Sequence, residues 1–225
     1  MLLQVCGVGK SFKKKAVLNN VSFNASAGEI IGIIGPNGSG KTTLLNILTG
    51  ALKPEAGEYR FAKEAKTGAS ISRKGFFEDM SVKRNLMLFA ALEGVKYAER
   101  IEERNIFQID YFGERYGILS AGMKQRAALT IPFWSHKDII LLDEPTNHLD
   151  IDSIIVLRNE MTRLKAEGVT FVITSHFSSD FEKTCDRILF MKQGSVLYEN
   201  SCTEILAQYG DIENAYGQIT NRKER

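Results

Sequence analysis

The chain has 225 residues, of which 44% are hydrophobic and 25% charged; this ordinary globular composition excludes a disordered chain, a collagen-like repeat or a disulfide miniprotein. Lysine plus arginine (29) against aspartate plus glutamate (27) leaves +2, too slight a charge to point to nucleic acid by itself.

In chain order, β-rich runs occur at residues 2–8 and 17–24, followed by a buried-type strand at 29–34. That strand runs into GPNGSGKTTLLNILTGAL, a glycine-rich turn followed by the helical spacing of Leu44, Leu45, Ile47 and Leu48. Residues 57–61 and 67–71 read as short strands. From 81 to 133 the pattern is mostly helical, with Leu86, Phe89, Ala90 and then Ile101, Ile106 and Phe107 as apolar faces. The runs at 139–142 and 169–174 are nearly continuous in leucine and β-branched residues, as expected of parallel strands covered on both faces. A helix pattern at 151–164 separates them. The fold class is therefore α/β: a parallel-sheet core with an N-terminal antiparallel β region and an inserted α-helical subdomain. A single domain spanning 1–225 is expected. Its core is 1–73 and 136–200, its helical subdomain 74–135, and its C-terminal helix and tail 201–225.

No apolar run approaches the ~18–20 residues that cross a bilayer. The opening MLLQVCGVGKSFKKK places its lysines after a brief apolar stretch, the reverse of a secretory signal. Cys6, Cys185 and Cys202 show no CxxC spacing and read as reduced thiols with packing roles. These features predict a soluble intracellular chain, so that any membrane part is carried by another polypeptide.

Gly35, Gly40, Lys41 and Thr42 satisfy G-x-x-x-x-G-K-[ST] between a strand and a helix, the phosphate loop of a P-loop NTPase core. Pro36, Asn37, Gly38, Ser39 and Thr43 complete the loop. Gly38 and Gly40 let backbone N–H groups turn toward one anion without a Cβ in the way. The helix that follows presents its positive end to the same phosphates. Lys41 supplies a mobile point charge for the β and γ phosphates, and the Thr42 hydroxyl is a ligand for Mg²⁺. A nucleoside triphosphate site is the expectation.

Residues 139–142 lead into Asp143 and Glu144, at the strand end where open α/β sheets bind ligands. Asp143 is placed to hold the metal through its water shell, and Glu144 to polarise a water that attacks the γ-phosphate. No NKxD-type guanine reader follows, which argues against a GTPase. A second device lies at Leu119-Ser120-Ala121-Gly122-Met123-Lys124-Gln125-Arg126, a helix start with Ser120 as N-cap. A helix N-terminus there suits a second grip on phosphate, although by itself the segment is only a helix start.

LSAGMKQR resembles the LSGGQ signature of ATP-binding-cassette (ABC) ATPases. It stands in that family's order: phosphate loop, helical insertion, signature, LLDEPTNHLD, then the histidine of FVITSH. The resemblance runs from about Phe12 to Tyr198. It implies that Phe12 stacks on adenine, with a core phenylalanine as the plainer alternative. It also implies that Asp143 holds Mg²⁺ and Glu144 is the catalytic base. Leu149 and Asp150 match the D-loop at the dimer seam, and His176 the switch histidine that meets the γ-phosphate. Two cassettes of this family bind two ATP molecules head to tail, so Ser120, Ala121, Gly122 and Met123 would cover the nucleotide held by Lys41 of the other subunit. The cofactors implied are ATP and Mg²⁺. The partners implied are transmembrane permease subunits and a second copy or a paralogous cassette, with no nucleic acid. The place implied is the cytoplasmic face of the cell membrane, held there through the membrane partner.

Two departures qualify the resemblance. Ser72, with Arg73 and Lys74 beside it, stands where the family usually has a glutamine that reaches Mg²⁺, and Met123 replaces the commonest signature glutamine. The LGMKQR-like wording is similar to exporter cassettes of the bacitracin and lantibiotic-immunity type, which points to the ATPase subunit of an exporter. The stretch 52–71 is short, implying a trimmed β arm. Phe76, Phe77 and Met80 suit either a groove for a partner's cytoplasmic helix or core packing. EPTNHLD resembles the wording of ribosome-associated ABC proteins, which carry two cassettes in one chain; this chain has one. Lys13–Lys15 and the Arg222, Lys223, Arg225 tail read as solvated ends. A regulatory cassette with slow hydrolysis is a third reading, motivated by Ser72.

Overall fold

A computed structural model describes residues 1–70, 75–92, 105–134, 136–176 and 182–222. Strands β1 (Leu3–Phe12), β2 (Lys15–Ala25) and β4 (Ala56–Phe61) form an antiparallel sheet ordered β2-β1-β4. A six-stranded sheet runs β5 (Thr67–Ser70), β6 (Ile139–Asp143), β7 (Thr170–Ser175), β3 (Ile30–Ile34), β8 (Arg187–Lys192) and β9 (Ser195–Ser201). All its pairings are parallel except β8 with β9. Among the described residues six α-helices accompany the sheets: α1 (Lys41–Leu48), α2 (Val82–Leu92), α3 (Ala121–Thr130), α4 (Ile151–Ala166), α5 (Cys202–Tyr209) and α6 (Ile212–Arg222).

Strand alternation divides the interior in two. Ile30, Ile34, Ile140, Leu142, Phe171, Ile173, Ile188 and Phe190 point to one face and pack with Val82, Leu86, Leu157, Met161 and Trp134. Ile31, Ile33, Ile139, Leu141, Val172, Leu189 and Met191 point to the other. There they meet Leu44, Leu45, Ile47 and Leu48 of α1 and the inner residues Leu3, Val5, Val8 and Val21 of the antiparallel sheet. Helix α1 is thus held between two sheets, which is why four of its eight residues are apolar and buried. Period-2 alternation sends successive side chains to opposite faces, and each fully buried Leu or Ile contributes roughly 1.5–3 kcal/mol.

The strands expected at 2–8, 17–24 and 57–61 are present, the first running on to Phe12. The helical reading of 81–133 needs correction. Helices α2 and α3 lie in it, but the described residues between them, 105–120, run as turns with one short 3₁₀ turn at Tyr116–Ile118. Asn105 closes one of those turns from both sides: it accepts from the Ile109 N–H and donates to the Ile109 carbonyl, each at 2.7 Å. Ile109 and Tyr111 are buried without belonging to a helix, so an apolar spacing there does not require one. The β8–β9 hairpin was left unassigned by the sequence pattern. It turns on Gln193 (φ 49) and Gly194 (φ 82), the left-handed pair of a tight hairpin turn.

Cys6 is exposed, whereas Cys185 and Cys202 are buried free thiols, consistent with packing. Burial pushes both buried thiols above the ordinary cysteine range, which makes them poor nucleophiles. Among the described residues no helix is long and apolar enough to cross a membrane.

Candidate functional site

The glycine-rich loop follows β3, the third-from-edge strand of the large sheet, and opens α1. Two of its glycines are required by close approach. A Cβ on Gly35 would overlap the Met191 carbonyl oxygen. A Cβ on Gly40 would lie 2.7 Å from the Val17 carbonyl oxygen, at a φ of +103 that already favours glycine. Gly38 is different: a Cβ there would meet nothing, and its φ of +79 is the reason for the residue. The first N–H groups of α1 receive no side-chain cap, since Gly40 is the N-cap and no acidic residue stands in the first turn. Uncapped donors at a helix N-terminus suit an anion.

Lys41 is buried beneath this loop. Its ammonium donates to the carbonyls of Gly35 (2.7 Å) and Pro36 (3.2 Å) and lies 3.6 Å from Glu144 Oε1. Desolvation pulls its pKa below the ordinary lysine value, against the raising influence of Glu144 and Asp143.

Asp143 ends β6, and its two oxygens are shared out. Oδ1 accepts from the Thr174 hydroxyl (2.6 Å) and Oδ2 from the Thr42 hydroxyl (2.7 Å). Burial raises its pKa above the usual carboxylate range, the hydroxyls opposing that shift. Glu144 is in the left-handed region at φ 46, and its Oε2 accepts from the Asn147 amide at 2.5 Å. His176 Nδ1 lies 3.2 Å from Glu144 Oε1. Thus the loop 35–43, Asp143, Glu144 and His176 converge at the carboxyl ends of β3, β6 and β7, where α/β sheets place ligands.

This donor set fits Mg²⁺. Hard divalent cations take oxygen ligands, and here a hydroxyl and a desolvated carboxylate stand 2.7 Å apart beneath a loop suited to phosphates.

Residues 120–123 and 149–150 do not join that cluster. Ser120, Gly122, Met123, Leu149 and Asp150 line a separate cleft of about 250 Å³ with Arg126, His148 and Ser153. Ser120 caps α3, its hydroxyl accepting from the Met123 N–H at 3.2 Å. A Cβ on Gly122 would stand 2.6 Å from the His148 carbonyl oxygen, so the start of α3 lies close against the backbone of the loop that precedes α4. Asp150 has a structural duty as well: it N-caps α4 by accepting from the Ser153 N–H at 2.7 Å. Hydrogen bonding from the Ser153 hydroxyl, together with its N–H, holds the Asp150 carboxyl below the usual range.

Phe12 ends β1 with its ring half-exposed and the Lys10 ammonium 5.6 Å from the ring centroid. It is therefore not a core phenylalanine. Lys10 is itself held by Glu55, which also accepts from the Ser11 N–H at 2.9 Å. Phe76 and Phe77 part company: Phe76 stacks on Tyr116 with centroids 4.5 Å apart, whereas Phe77 is 50% exposed. Ser72, Arg73 and Lys74 lie outside the described residues.

Sequence reasoning missed Thr174 and Gln125. Gln125 is buried in α3 and donates to the Pro145 carbonyl at 3.1 Å, joining that helix to the residue after Glu144. The available signal was a polar residue at a position otherwise patterned for burial.

The sequence pattern of a family described as ABC transporter matches residues 18–147. The lantibiotic transport ATP-binding protein SrtF of Streptococcus pyogenes is 32% identical over 206 residues, covering 88% of this chain and 90% of that protein. The chain belongs to the ABC transporter family. It is an ATP-binding cassette of that family, an ABC ATPase. The Nod factor export ATP-binding protein I of Rhizobium sp. (strain N33) is 30% identical over 223 residues, covering 92% of the cassette and 73% of that protein. The dimeric structure of MJ0796, a bacterial ABC transporter cassette, matches with a TM-score of 0.80 at 25% identity, over 89% of the cassette and 99% of that chain. The mixed α/β fold, with its parallel core and antiparallel sheet, is the ABC cassette fold.

Proposed function

We propose that this cassette, as a single domain with core 1–73 and 136–200 and helical subdomain 74–135, is the ATP-hydrolysing subunit of an ABC exporter, working as a head-to-tail pair. The observation that carries the reading is that two segments suited to phosphate, each at a helix start, have no residue in common. One is the loop 35–43 with Lys41, and the other is the capped start of α3 in the cleft beside the D-loop. Each half-site is completed by the other subunit, as an isologous pair allows. The exporter assignment is supported by the Nod factor export relative, and the pairing by the dimeric MJ0796 cassette.

In this reading Lys41 exchanges the Gly35 and Pro36 carbonyls and the Glu144 carboxylate for phosphate oxygens of ATP. Thr42 and Asp143 hold Mg²⁺, which neutralises charge on the phosphates. Glu144 accepts a proton from the attacking water, and His176, 3.2 Å from it, orients that carboxylate toward the γ-phosphate. Phe12 offers a free ring face to adenine. Ser120, Ala121, Gly122 and Met123 close on the nucleotide of the opposite subunit, with Leu149 and Asp150 along the seam. Closure by ATP and reopening after hydrolysis move a membrane-spanning permease, which places the cassette on the cytoplasmic face of the membrane.

The test is sedimentation of Glu144→Gln with ATP and Mg²⁺, beside steady-state hydrolysis by the parent. An ATP-dependent dimer that does not turn over is expected. A monomer, or a variant that hydrolyses ATP at the parent rate, overturns the reading. Co-purification of the parent with a multi-span membrane protein, and not with ribosomes, is the expected result for the transporter assignment.

A further inference from the structure

We propose that Thr174 is a positioning residue for both acidic groups at the head of the sheet, setting the Asp143 carboxylate for the metal and the backbone of Glu144 for the attacking water. The inference rests on the assignment of Glu144 as the base.

Thr174 is 0% exposed and pairs directly with Asp143 in the parallel ladder between β6 and β7. Its single hydroxyl is used in both senses. It donates to Asp143 Oδ1 at 2.6 Å and accepts from the Glu144 N–H at 3.0 Å; the same N–H lies 3.2 Å from the Thr174 carbonyl. One side chain therefore holds two consecutive residues of the opposite strand end.

What it holds is an unusual backbone. A strand continuing past Asp143 in β conformation would send the next side chain to the opposite face. Glu144 instead adopts φ 46, and its carboxylate meets Lys41 and His176. Such a conformation in a non-glycine residue persists only where surroundings over-determine it, and the Thr174 hydroxyl and carbonyl supply that constraint at the Glu144 N–H. The division of the Asp143 oxygens has a second consequence. Thr42 donates to Oδ2, and its hydroxyl oxygen would keep a lone pair for the ion. Oδ1 is tied to Thr174, so a hydroxyl on each side fixes the orientation of the carboxylate. His176 is two residues beyond Thr174, directly after β7 ends.

A β-branched side chain fixes this hydroxyl by its narrow choice of χ1. Valine has nearly the same shape without the hydrogen bonds, so Thr174→Val isolates them and Thr174→Ser restores the hydroxyl. The experiment is steady-state ATP hydrolysis by both variants, with thermal melting and with binding of a fluorescent trinitrophenyl-ATP measured with and without Mg²⁺. For Thr174→Val the expected kcat falls about 10- to 100-fold, the loss of a buried carboxylate's and a strained N–H's partner. KM for ATP stays within about threefold, because the phosphate loop is untouched. Binding without Mg²⁺ matches the parent, while the tightening that Mg²⁺ produces is reduced. Thr174→Ser recovers kcat to within about threefold of the parent. A Thr174→Val enzyme with parental kcat overturns the proposal, and so does a Thr174→Ser variant as impaired as Thr174→Val, which would make the methyl packing the cause. If Thr174→Val does not fold, Thr174→Ala takes its place in the same comparison with Thr174→Ser. Glu144→Gln is the control: full hydrolysis there removes the assignment of the base, whereas a dead Glu144→Gln beside an active Thr174→Val removes only the role of Thr174.

Discussion

Lys41 Nζ faces Glu144 Oε1 across 3.6 Å beneath the glycine-rich loop, with the lysine side chain 4% exposed. In the proposed mechanism these are the cation that takes phosphate and the carboxylate that activates water, so their contact competes with nucleotide binding.

Glu144→Gln should therefore act twice. Loss of the base lowers single-turnover hydrolysis by ~10²- to 10⁴-fold. Loss of the competing carboxylate frees Lys41 for phosphate, and ATP affinity should rise by roughly 2- to 10-fold. Fluorescent-nucleotide titration of both proteins is the measurement; weaker binding by the variant would show that the Lys41 contact does not oppose ATP.

The parts legible in the sequence are those where chemistry forces a residue type at a fixed spacing. Gly35 and Gly40 admit no side chain, Lys41 and Thr42 follow them on the first turn of α1, and Asp143 and Glu144 close an all-apolar strand. Thr174 and Gln125 were not legible, because their meaning comes from which strand or helix lies beside them. Thr174 matters because the β6–β7 register sets it against Asp143, and Gln125 because α3 packs under Pro145. The turns at 105–120 were misread as helical for a related reason: burial of Ile109 and Tyr111 against the helical layer gives apolar spacing without helical backbone.

Burial of Asp143 predicts a stability cost wherever its carboxylate is ionised. Desolvation raises its folded pKa above the unfolded value. The cost is therefore absent at pH below the unfolded carboxylate range near ~3.9 and fully present above the folded pKa. Asp143→Asn, which keeps an acceptor for Thr174, should melt higher than the parent at neutral pH by on the order of 2–4 °C, the equivalent of ~1 kcal/mol at this size. The difference should shrink as pH falls through the folded pKa of Asp143. Melting curves without nucleotide across that range test both the sign and the trend; a variant that melts lower at neutral pH would show that the hydroxyl contacts outweigh desolvation.

The contact between Gly122 and the loop that precedes α4 predicts a sharp steric limit. Gly122→Ala puts a methyl 2.6 Å from the His148 carbonyl oxygen, which is backbone and has little room to yield. Overpacking of this kind costs about 1–3 kcal/mol. Gly113→Ala, where a Cβ meets nothing within 4 Å, should stay within about 0.5 kcal/mol of the parent. Chemical denaturation distinguishes the pair, and equal stabilities would mean that α3 shifts freely against that loop. The ATP-dependent dimer of Glu144→Gln should also be lost when Gly122→Ala is added.

Asn85 and Phe77 separate shape from surface on the helical layer. Asn85 is fully buried; its Oδ1 accepts from the Phe77 N–H at 2.7 Å, and its amide donates to the carbonyls of Phe77 (2.9 Å) and Ser81 (3.2 Å). The Phe77 side chain itself is half-exposed. Asn85→Leu strips the Phe77 N–H of its partner and leaves the Phe77 carbonyl only the Met80 N–H, at 3.1 Å; a buried group left unsatisfied costs about 1–3 kcal/mol. The expected drop in melting temperature is on the order of 5–10 °C, at about 2–4 °C per kcal/mol. Phe77→Ala leaves that framework intact and removes only surface, so its melting temperature should lie within ~2 °C of the parent. Hydrolysis by purified Phe77→Ala should equal the parent's, since Phe77 is absent from both segments suited to phosphate. If Phe77→Ala proves as damaging to stability as Asn85→Leu, the ring is part of the core. The apolar surface made by Phe77 and Met80 would then no longer be free to receive a permease helix.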